Sequence, residues 1–476
     1  MEDDKRASHG SLLYLGVLCF VAALGGFLFG FDTAVISGTI SFVKQKFAMS
    51  AMAEGWFVSS ALAGCIFGVA FSGKLSDSFG RKKVMILSAL FFLVTGVGCA
   101  LAVTQSALGF FRMVGGLGVG IASMVSPLYI SEFSPPRLRG RLVALYQLAI
   151  TLGILVAYFS NAYLLRLSTA VQYQSRLPRF LINEEVWRGM FAVDVVPALI
   201  FIGLLMFVPE TPRWLAGKGR GERALRLLSR VSGRETAEKE LAEINAVLKV
   251  ETGSLRRLFT PAYRPALLIG LTLPLLSQFS GINAVIYYGP RILDQAGFAL
   301  SDALGGQVTI GIVNVLFTFV AIYSIDKWGR RPLLMFGVAG AVISLLAGGL
   351  LFALNVTQGV LILLPILCFI ACFAFSFGPV CWVILGEIYP TAIRGRAMSL
   401  ATMTIWIGNF FVGQLTPLLL ENLGPAGTFW IFALLCSPAF FITWKLVPET
   451  KGRSLEDIEA FWLRKAHKSV EEGGMK

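Results

Sequence analysis

Residues 332–386 read PLLMFGVAGAVISLLAGGLLFALNVTQGVLILLPILCFIACFAFSFGPVCWVILG and contain no Asp, Glu, Lys, Arg or His. A helix that crosses a bilayer needs about 20 predominantly apolar residues. The stretch is therefore long enough for two such helices, and the polar residues between Asn355 and Gly359 predict the turn that joins them. An uncharged apolar run of this length indicates a membrane-spanning protein.

The composition of the whole chain supports this interpretation. Of its 476 residues, 56% are hydrophobic and only 14% are charged, and the mean hydropathy is +0.73. A soluble domain carries about 25% charged residues. The net charge of +13 does not indicate nucleic-acid binding, because the basic residues lie in the connections between apolar stretches.

The apolar stretches predict an all-α polytopic membrane protein with twelve transmembrane helices. The basic residues give their orientation, because cytoplasmic connections carry an excess of Lys and Arg. With both termini in the cytoplasm, most of the 41 basic residues fall on the inner side. The predicted spans are 12–40, 55–73, 84–104, 109–130, 142–165, 189–208, 265–290, 303–325, 332–354, 360–386, 397–420 and 427–444.

A polar insert at 209–264 divides the spans into two six-helix halves. Within it, Ala224, Leu227, Leu228 and Val231 fall on one helical face, so we expect short amphipathic cytoplasmic helices. The insert is too short for a catalytic domain, and the chain has no phosphate-binding loop, so ATP does not drive it. The predicted organisation is a cytoplasmic N-terminus at 1–11, a first half at 12–208, the helical linker at 209–264, a second half at 265–444 and a cytoplasmic tail at 445–476.

Cysteine and histidine give no sign of a metal site, and we expect no cofactor. The seven cysteines all lie in apolar stretches, which is typical of small buried hydrophobic residues rather than of disulfides. The two histidines, His9 and His467, lie near the polar ends of the chain. Histidine chemistry inside the membrane is therefore excluded.

The two halves repeat one another at three equivalent places. Transporters are commonly built from such repeats. The repeated motifs are Asp77–Arg81 and Asp326–Arg330, Glu132–Arg141 and Glu387–Arg396, and Pro209–Thr211 and Pro448–Thr450. All three pairs lie on the predicted inner side.

These motifs, with several others, resemble those of the sugar porter family of the major facilitator superfamily. The resemblance runs from about Leu12 to Trp462. It implies the major facilitator fold and alternating access. The resemblance is closest to bacterial proton-coupled sugar symporters, and the chain is also similar to animal facilitative glucose transporters. The additional motifs are Gly30-Phe31-Asp32, Pro209–Trp214, Gln278–Asn283 with Tyr287-Tyr288, Gly378–Trp382 and Pro448–Gly452.

Asp32 and Arg112 are the two charges that we place deep in the membrane, on the first and fourth helices. An intramembrane charge costs at least about 2.5 kcal/mol, so such residues usually pair and usually serve function. The alternative is a purely structural ion pair. An acid that pairs with Arg when ionised, and releases it when protonated, can couple proton uptake to a conformational change. The resemblance agrees, because proton-coupled members carry an aspartate at the place of Asp32. We expect Asp194 to lie at the membrane interface.

A sugar offers many hydroxyls and apolar C–H faces, so its site needs amides and an aromatic platform. Two departures from the family pattern, at Ser277 and Ile405, leave the identity of the sugar open. Each amide alone could instead join helices. The resemblance implies substrate-binding roles for Gln147, Gln278, Asn283, Asn314, Trp382 and Asn409, and lining or gating roles for Phe29, Tyr287, Tyr288 and Trp406.

Acidic and basic residues recur with mirrored spacing on the predicted inner side. They could simply determine topology, but the spacing favours a cytoplasmic gate that closes when the substrate site faces outward. The gate residues are Arg81, Glu132, Arg139, Arg330, Glu387 and Arg394.

The sequence thus predicts a proton-coupled symporter of a neutral monosaccharide or polyol. The alternatives are an uncoupled facilitator, against which Asp32 argues, and a transporter-like sugar sensor, which normally has a longer tail. An enzyme is disfavoured because there is no catalytic constellation. The expected partners are a small sugar or polyol, the proton and the lipid bilayer, with no nucleic acid. We expect a monomer in a prokaryotic plasma membrane, and xylose, arabinose, galactose, glucose and myo-inositol all fit.

Overall fold

The computed structural model describes residues 11–249, 258–356, 359–389, 393–453 and 457–464. Most of the predicted N-terminal segment 1–11 and much of the predicted tail 445–476, including His9 and His467, lie outside these ranges. The described part of the chain is built from helices and short connections.

Seventeen α-helices account for the described secondary structure, apart from a turn at Arg176–Pro178, a π-helical turn at Arg179–Glu184 and a last segment at 457–464. The first ten are α1 Leu12–Phe47, α2 Ala51–Phe79, α3 Arg81–Leu101, α4 Gln105–Phe133, α5 Pro136–Ala170, α6 Val186–Ala192, α7 Val195–Phe207, α8 Pro212–Gly217, α9 Gly221–Ser232 and α10 Arg234–Lys249. The others are α11 Arg264–Phe279, α12 Ile282–Gln295, α13 Leu300–Trp328, α14 Arg330–Ala353, α15 Gly359–Phe375, α16 Phe377–Ile388 and α17 Arg394–Lys445.

The predicted twelve spans are confirmed. Among the described residues, eleven helical runs are long and apolar enough to cross a membrane. The last of them, Arg396–Lys445, has 50 residues, more than twice the length that a bilayer requires. It bends at Gly424, where the backbone is non-helical and Pro425 follows, so α17 comprises two spans. Most helices extend several residues beyond the predicted limits.

Three spans consist of two helices each. α6 and α7 form one span, α11 and α12 another, and α15 and α16 a third. The second break lies at Gly281, whose φ of +83° is left-handed. The third break, at Ser376, was not predicted, although Pro379 has no N–H to donate to Phe375.

The linker contains the amphipathic helices that were expected. Ala224, Leu228 and Val231 on α9 are buried, whereas Arg223 and Arg226 are exposed. The apolar face of α9 therefore packs against other parts of the protein, and its charged face remains exposed.

The contacts within the structure separate two compact units. The first comprises the described residues of Met1–Ile36 and Gly64–Glu251, and the second those of Ser37–Ala63 and Thr252–Lys476. The end of α1 and the beginning of α2 thus pack with helices of the second half of the chain.

The cysteines were expected to be buried, and this is wrong at one position. Five of them, Cys19, Cys65, Cys99, Cys381 and Cys436, are buried, and Cys372 is half-buried. Cys368 is exposed on α15. The apolar run around it could not reveal which face of the helix turns outward, because apolar residues surround every side of it.

Candidate functional site

Asp32 and Arg112 form a buried ion pair in the first unit. Arg112 Nη1 lies 3.1 Å from Asp32 Oδ1 and also donates to the backbone oxygen of Asp32 at 3.2 Å. Both side chains are 2% exposed. Asp32 Oδ2 and Arg112 Nε have no hydrogen-bond partner among the described residues, so the pair is close but incompletely satisfied. The contact between α1 and α4 inferred from sequence is present.

A second buried acid lies near this pair. Asp194, in the turn between α6 and α7, is 1% exposed, and neither carboxylate oxygen has a hydrogen-bond partner among the described residues. It is close enough to interact electrostatically with Asp32 and Arg112. The expectation that Asp194 lies at the interface is therefore wrong. The predicted span 189–208 begins close to Asp194, whereas the structure starts this span at Val186, breaks it at Asp194 and buries the residue.

The break at Gly281 brings two of the predicted amides together. Asn283 Nδ2 donates to Gln278 Oε1 at 2.7 Å, and Gln278 Nε2 donates to Ser277 Oγ at 3.2 Å. Gln278 lies in the last turn of α11 and Asn283 in the first turn of α12, and a continuous helix would turn their side chains apart. A Cβ at Gly281 would collide with the ring of Phe432, which explains why glycine occupies the break.

The next turn of α12 joins this amide group to α17. Asn409 Nδ2 lies 3.0 Å from the hydroxyl of Tyr287, and Tyr288 donates to the backbone oxygen of Gly413 at 2.6 Å. Both tyrosines are buried, as are Asn409 and Trp406. The second unit thus holds a group of polar side chains, Gln278, Asn283, Tyr287 and Asn409, that can exchange internal hydrogen bonds for bonds to a hydroxylated ligand.

For the other predicted site residues, the structure gives the helix and the burial of the side chain. Asn314 on α13 is buried, and Trp382 on α16, just after the break at Ser376, is half-buried. Gln147 on α5 and Phe29 on α1 belong to the first unit and are half-buried. These residues keep their predicted roles only as proposals.

The predicted gate residues form ion pairs with mirrored geometry. In the first unit, Arg81 Nη2 lies 3.0 Å from Glu132 Oε1. In the second, Arg330 Nη2 lies 3.1 Å from Glu387 Oε1. Arg139 donates to the backbone oxygen of Ser134 at 3.4 Å, and Arg394 is half-buried at the start of α17.

Two further carboxylates lie beside the ion pairs of Arg81 and Arg330, and the sequence analysis predicted no role for them. Glu210 accepts from the backbone N–H of Arg81 at 2.9 Å, and Glu449 accepts from that of Arg330 at 3.1 Å. Each carboxylate therefore caps a helix, α3 or α14, whose first N–H groups have no partner within the helix. The repeated Pro-Glu-Thr motifs were the signal that could have identified them.

Glycine precedes each of these capped helices for two reasons. Gly80 and Gly329 have φ values of +96° and +92°, which side chains with a Cβ rarely adopt. A Cβ at either position would also collide with the carboxylate of Glu210 or Glu449.

The two capping carboxylates differ in their titration. Burial raises the pKa of Glu210 above its ordinary value, and the hydrogen bonds from Thr211, Arg81 and Lys82 do not offset this. Burial acts in the same direction on the pKa of Glu449, but there the backbone N–H groups of the residues around it outweigh burial and lower the pKa.

Known proteins are similar to this chain in sequence and in fold. The profile of the family described as sugar (and other) transporter matches residues 18–462. The arabinose-proton symporter of Bacillus subtilis is 41% identical over 458 residues, covering 96% of this chain and 97% of that protein. The D-xylose-proton symporter of Escherichia coli is 38% identical over 483 residues, covering 94% of this chain and 96% of its own length.

A solved structure of a related transporter has a similar fold. The proton:xylose symporter XylE of the major facilitator superfamily, bound to 6-bromo-6-deoxy-D-glucose, superposes with a TM-score of 0.80 and 37% identity, covering 94% of this chain and 99% of that one. With the twelve spans, the repeated motifs and the profile match, this likeness establishes that the chain belongs to the sugar (and other) transporter family of the major facilitator superfamily.

Proposed function

We propose that the protein is a proton-coupled symporter of a neutral monosaccharide or polyol. The observation that carries the proposal is the buried pair of Asp32 and Arg112, both 2% exposed within an apolar bundle. Such a pair contributes little net stability compared with apolar packing, so stability is a weak reason for its presence. Reversible protonation of Asp32 would give the ion pair a function in proton coupling.

The coupling follows from the charges of the pair. When Asp32 is ionised, it holds Arg112 and ties α1 to α4. Protonation removes that attraction and allows the two helices to separate. Asp194 is a second buried acid that interacts electrostatically with both members of the pair, so a change in the charge of Asp32 also acts on Asp194.

The polar group of Gln278, Asn283, Tyr287 and Asn409 suits a neutral, hydroxylated substrate. Amides and hydroxyls donate and accept, as sugar hydroxyls do, and no formal charge lies among these four residues. The relatives named for arabinose and xylose support a monosaccharide. Gln147, Asn314 and Trp382 are further candidates for binding, and Phe29, Tyr288 and Trp406 for lining or gating.

The distribution of basic residues supports an orientation with both termini in the cytoplasm of a prokaryotic cell. The ion pairs of Arg81 with Glu132 and of Arg330 with Glu387 then lie on the inner side, where they act as a gate. Arg139 and Arg394 belong to the same gate in this proposal.

The test is sugar-dependent proton uptake by the purified protein in weakly buffered proteoliposomes. The panel is arabinose, xylose, galactose, glucose and myo-inositol, each also tested for exchange of labelled sugar. We expect at least one sugar to alkalinise the external medium as it enters. Exchange of a sugar without any proton movement would show an uncoupled facilitator, and no exchange with the whole panel would remove the monosaccharide assignment.

A further inference from the structure

A buried acid in the first turn of α2 has no role in the mechanism above. The side chain of Glu54 is 0% exposed, although charged residues in the first turn of a helix usually face solvent. Lys44 Nζ lies 2.9 Å from Glu54 Oε2, and Arg291 Nη1 contacts Glu54 Oε1. Three elements meet at this carboxylate: the end of α1, the beginning of α2 and the last turn of α12.

The arrangement is favourable only while the three helix ends remain together. A buried carboxylate needs its cations, since removing one partner leaves an uncompensated charge in a poorly solvated place. The two cations are unequally exposed, at 36% for Lys44 and 14% for Arg291, so Arg291 is the more buried partner. Separation of α12 from α2 would expose Glu54 and Arg291 to water together.

A second polar contact lies beside the first. Gln414 on α17 accepts from Ser59 Oγ at 2.6 Å and donates to the backbone oxygen of Met52 at 3.1 Å, both on α2. Gly55 allows this approach, because a Cβ there would collide with the backbone oxygen of Gln414.

These contacts continue into the polar group described above. Arg291 follows Tyr287 and Tyr288 by four and three residues, which places all three on neighbouring turns of α12. Gln414 follows Gly413, whose backbone oxygen accepts from Tyr288. A movement of α12 that alters the Tyr287–Asn409 contact therefore also acts on the ion pairs of Glu54.

We propose that Lys44, Glu54, Arg291 and Gln414 form an outer latch that closes the external side of the transporter. The proposal rests on the transport function and orientation proposed above, which place the end of α1 outside. The latch is closed when Glu54 holds Arg291, and it opens when α12 moves away from α2. Sugar that enters from outside replaces the Tyr287–Asn409 hydrogen bond, and closure of the latch behind it commits the sugar to the inner side.

The test measures the distance between the outer ends of α1 and α12 by double electron–electron resonance. Spin labels are attached to cysteines at Gln45 and Gln295, both exposed, in a background with Cys368→Ser. The parent should show mainly the short distance of the closed latch. We expect Glu54→Gln to raise the ratio of long to short distances by about tenfold or more, because a neutral side chain no longer needs Arg291. Arg291→Gln should act in the same direction.

The matched control is Asp294→Asn, which removes an exposed acid one turn from Arg291 on the same helix. The control should leave the distances unchanged. Unaltered distances in both Glu54→Gln and Arg291→Gln, or an equal shift in the control, would overturn the latch. If Glu54→Gln does not fold, Arg291→Gln and Lys44→Gln still decide the question. The measurement needs neither sugar nor a proton gradient, so failure of the symport proposal would leave its result intact.

Discussion

At the scale of single side chains, the proposed sugar site is best described at Gln278. Its amide accepts from Asn283 at 2.7 Å and donates to Ser277 at 3.2 Å. The family resemblance pointed to both amides, but their contact depends on the left-handed backbone at Gly281, which residue type alone could only suggest. The two hydrogen bonds fix the orientation of the Gln278 amide, which in the proposed function binds a sugar hydroxyl.

We expect Gln278→Ala to weaken sugar binding about fivefold or more, because one good hydrogen bond contributes about 1 kcal/mol. Calorimetry with the transported sugar measures the affinity in detergent. Asn422→Ala is the matched control, since Asn422 is an exposed amide on the same bundle that donates to the backbone oxygen of Leu418. Unchanged affinity in Gln278→Ala would remove this residue from the site.

Two acids show where residue-level reasoning from sequence failed. Asp194 was placed at the interface because it stands next to a predicted helix end, yet the span continues through it and buries it. The burial of Glu54 was not predicted, because the residue stands in the first turn of a helix, where acidic side chains usually face solvent. Both errors have one cause: burial at a helix end depends on which other elements pack there, and hydropathy along one chain does not contain that information.

At the level of elements, carboxylates tie helix ends together on the predicted inner side. Arg330 at the start of α14 pairs with Glu387 at the end of α16, at 3.1 Å. The mirrored motifs assigned both residues to one set of inner-side charges, but they did not predict that these two form a pair. The capping roles of Glu210 and Glu449 were missed because they require the fold to bring distant segments to the helix starts.

We expect Glu387→Gln to increase the accessibility of the inner side by weakening the gate. A cysteine placed at Ala397, which is 1% exposed near the start of α17, reports this through its reaction rate with a membrane-impermeant maleimide added from the cytoplasmic side. Glu421→Gln, an exposed acid farther along α17, is the control. An equal reaction rate in Glu387→Gln and its parent would return these charges to a role in topology alone.

The two capping carboxylates should respond differently to pH. The pKa of Glu449 is lowered from its ordinary value of 4.5, so its ionised form stabilises the folded state at neutral pH and this stabilisation is lost as the pH falls below about 4.5. Glu449→Gln should therefore lower the thermal unfolding midpoint at pH 7, and the difference from the parent should shrink at pH 4.

Glu210 provides the comparison for this measurement. Its pKa is raised, so titration of Glu210 contributes stability at low pH that is lost as the pH rises through the raised pKa. Glu210→Gln should lower the midpoint less at pH 7 than Glu449→Gln does. A larger loss for Glu210→Gln at pH 7 would contradict the assigned directions.

At the scale of the whole molecule, the sequence allowed the twelve spans, their order and the inner charge repeats to be predicted. The length of an apolar stretch and the distribution of Lys and Arg can be read from the sequence alone, so predicting the spans requires no knowledge of how the helices pack. The grouping of Ser37–Ala63 with the second half of the chain was not predictable in this way. The contacts of Glu54 with Arg291 and of Ser59 with Gln414 belong to this grouping, and the order of the helices does not determine them.

The central claim is that Asp32 carries the coupled proton. One charge moving across about 100 mV gains about 2.3 kcal/mol, which supports roughly 50-fold accumulation of a neutral sugar. Asp32→Asn keeps the shape of the side chain but cannot be ionised. Arg112 can still donate to the backbone oxygen of position 32, a contact of 3.2 Å that the substitution does not remove.

The most direct test compares concentrative uptake with exchange in the same proteoliposomes, using a sugar that the parent transports. We predict that Asp32→Asn loses accumulation driven by a pH gradient or a voltage, while it still exchanges labelled for unlabelled sugar. The parallel measurement of exchange separates loss of coupling from damage to the protein. Full concentrative uptake by Asp32→Asn would contradict the account, because the proton would then travel on another group.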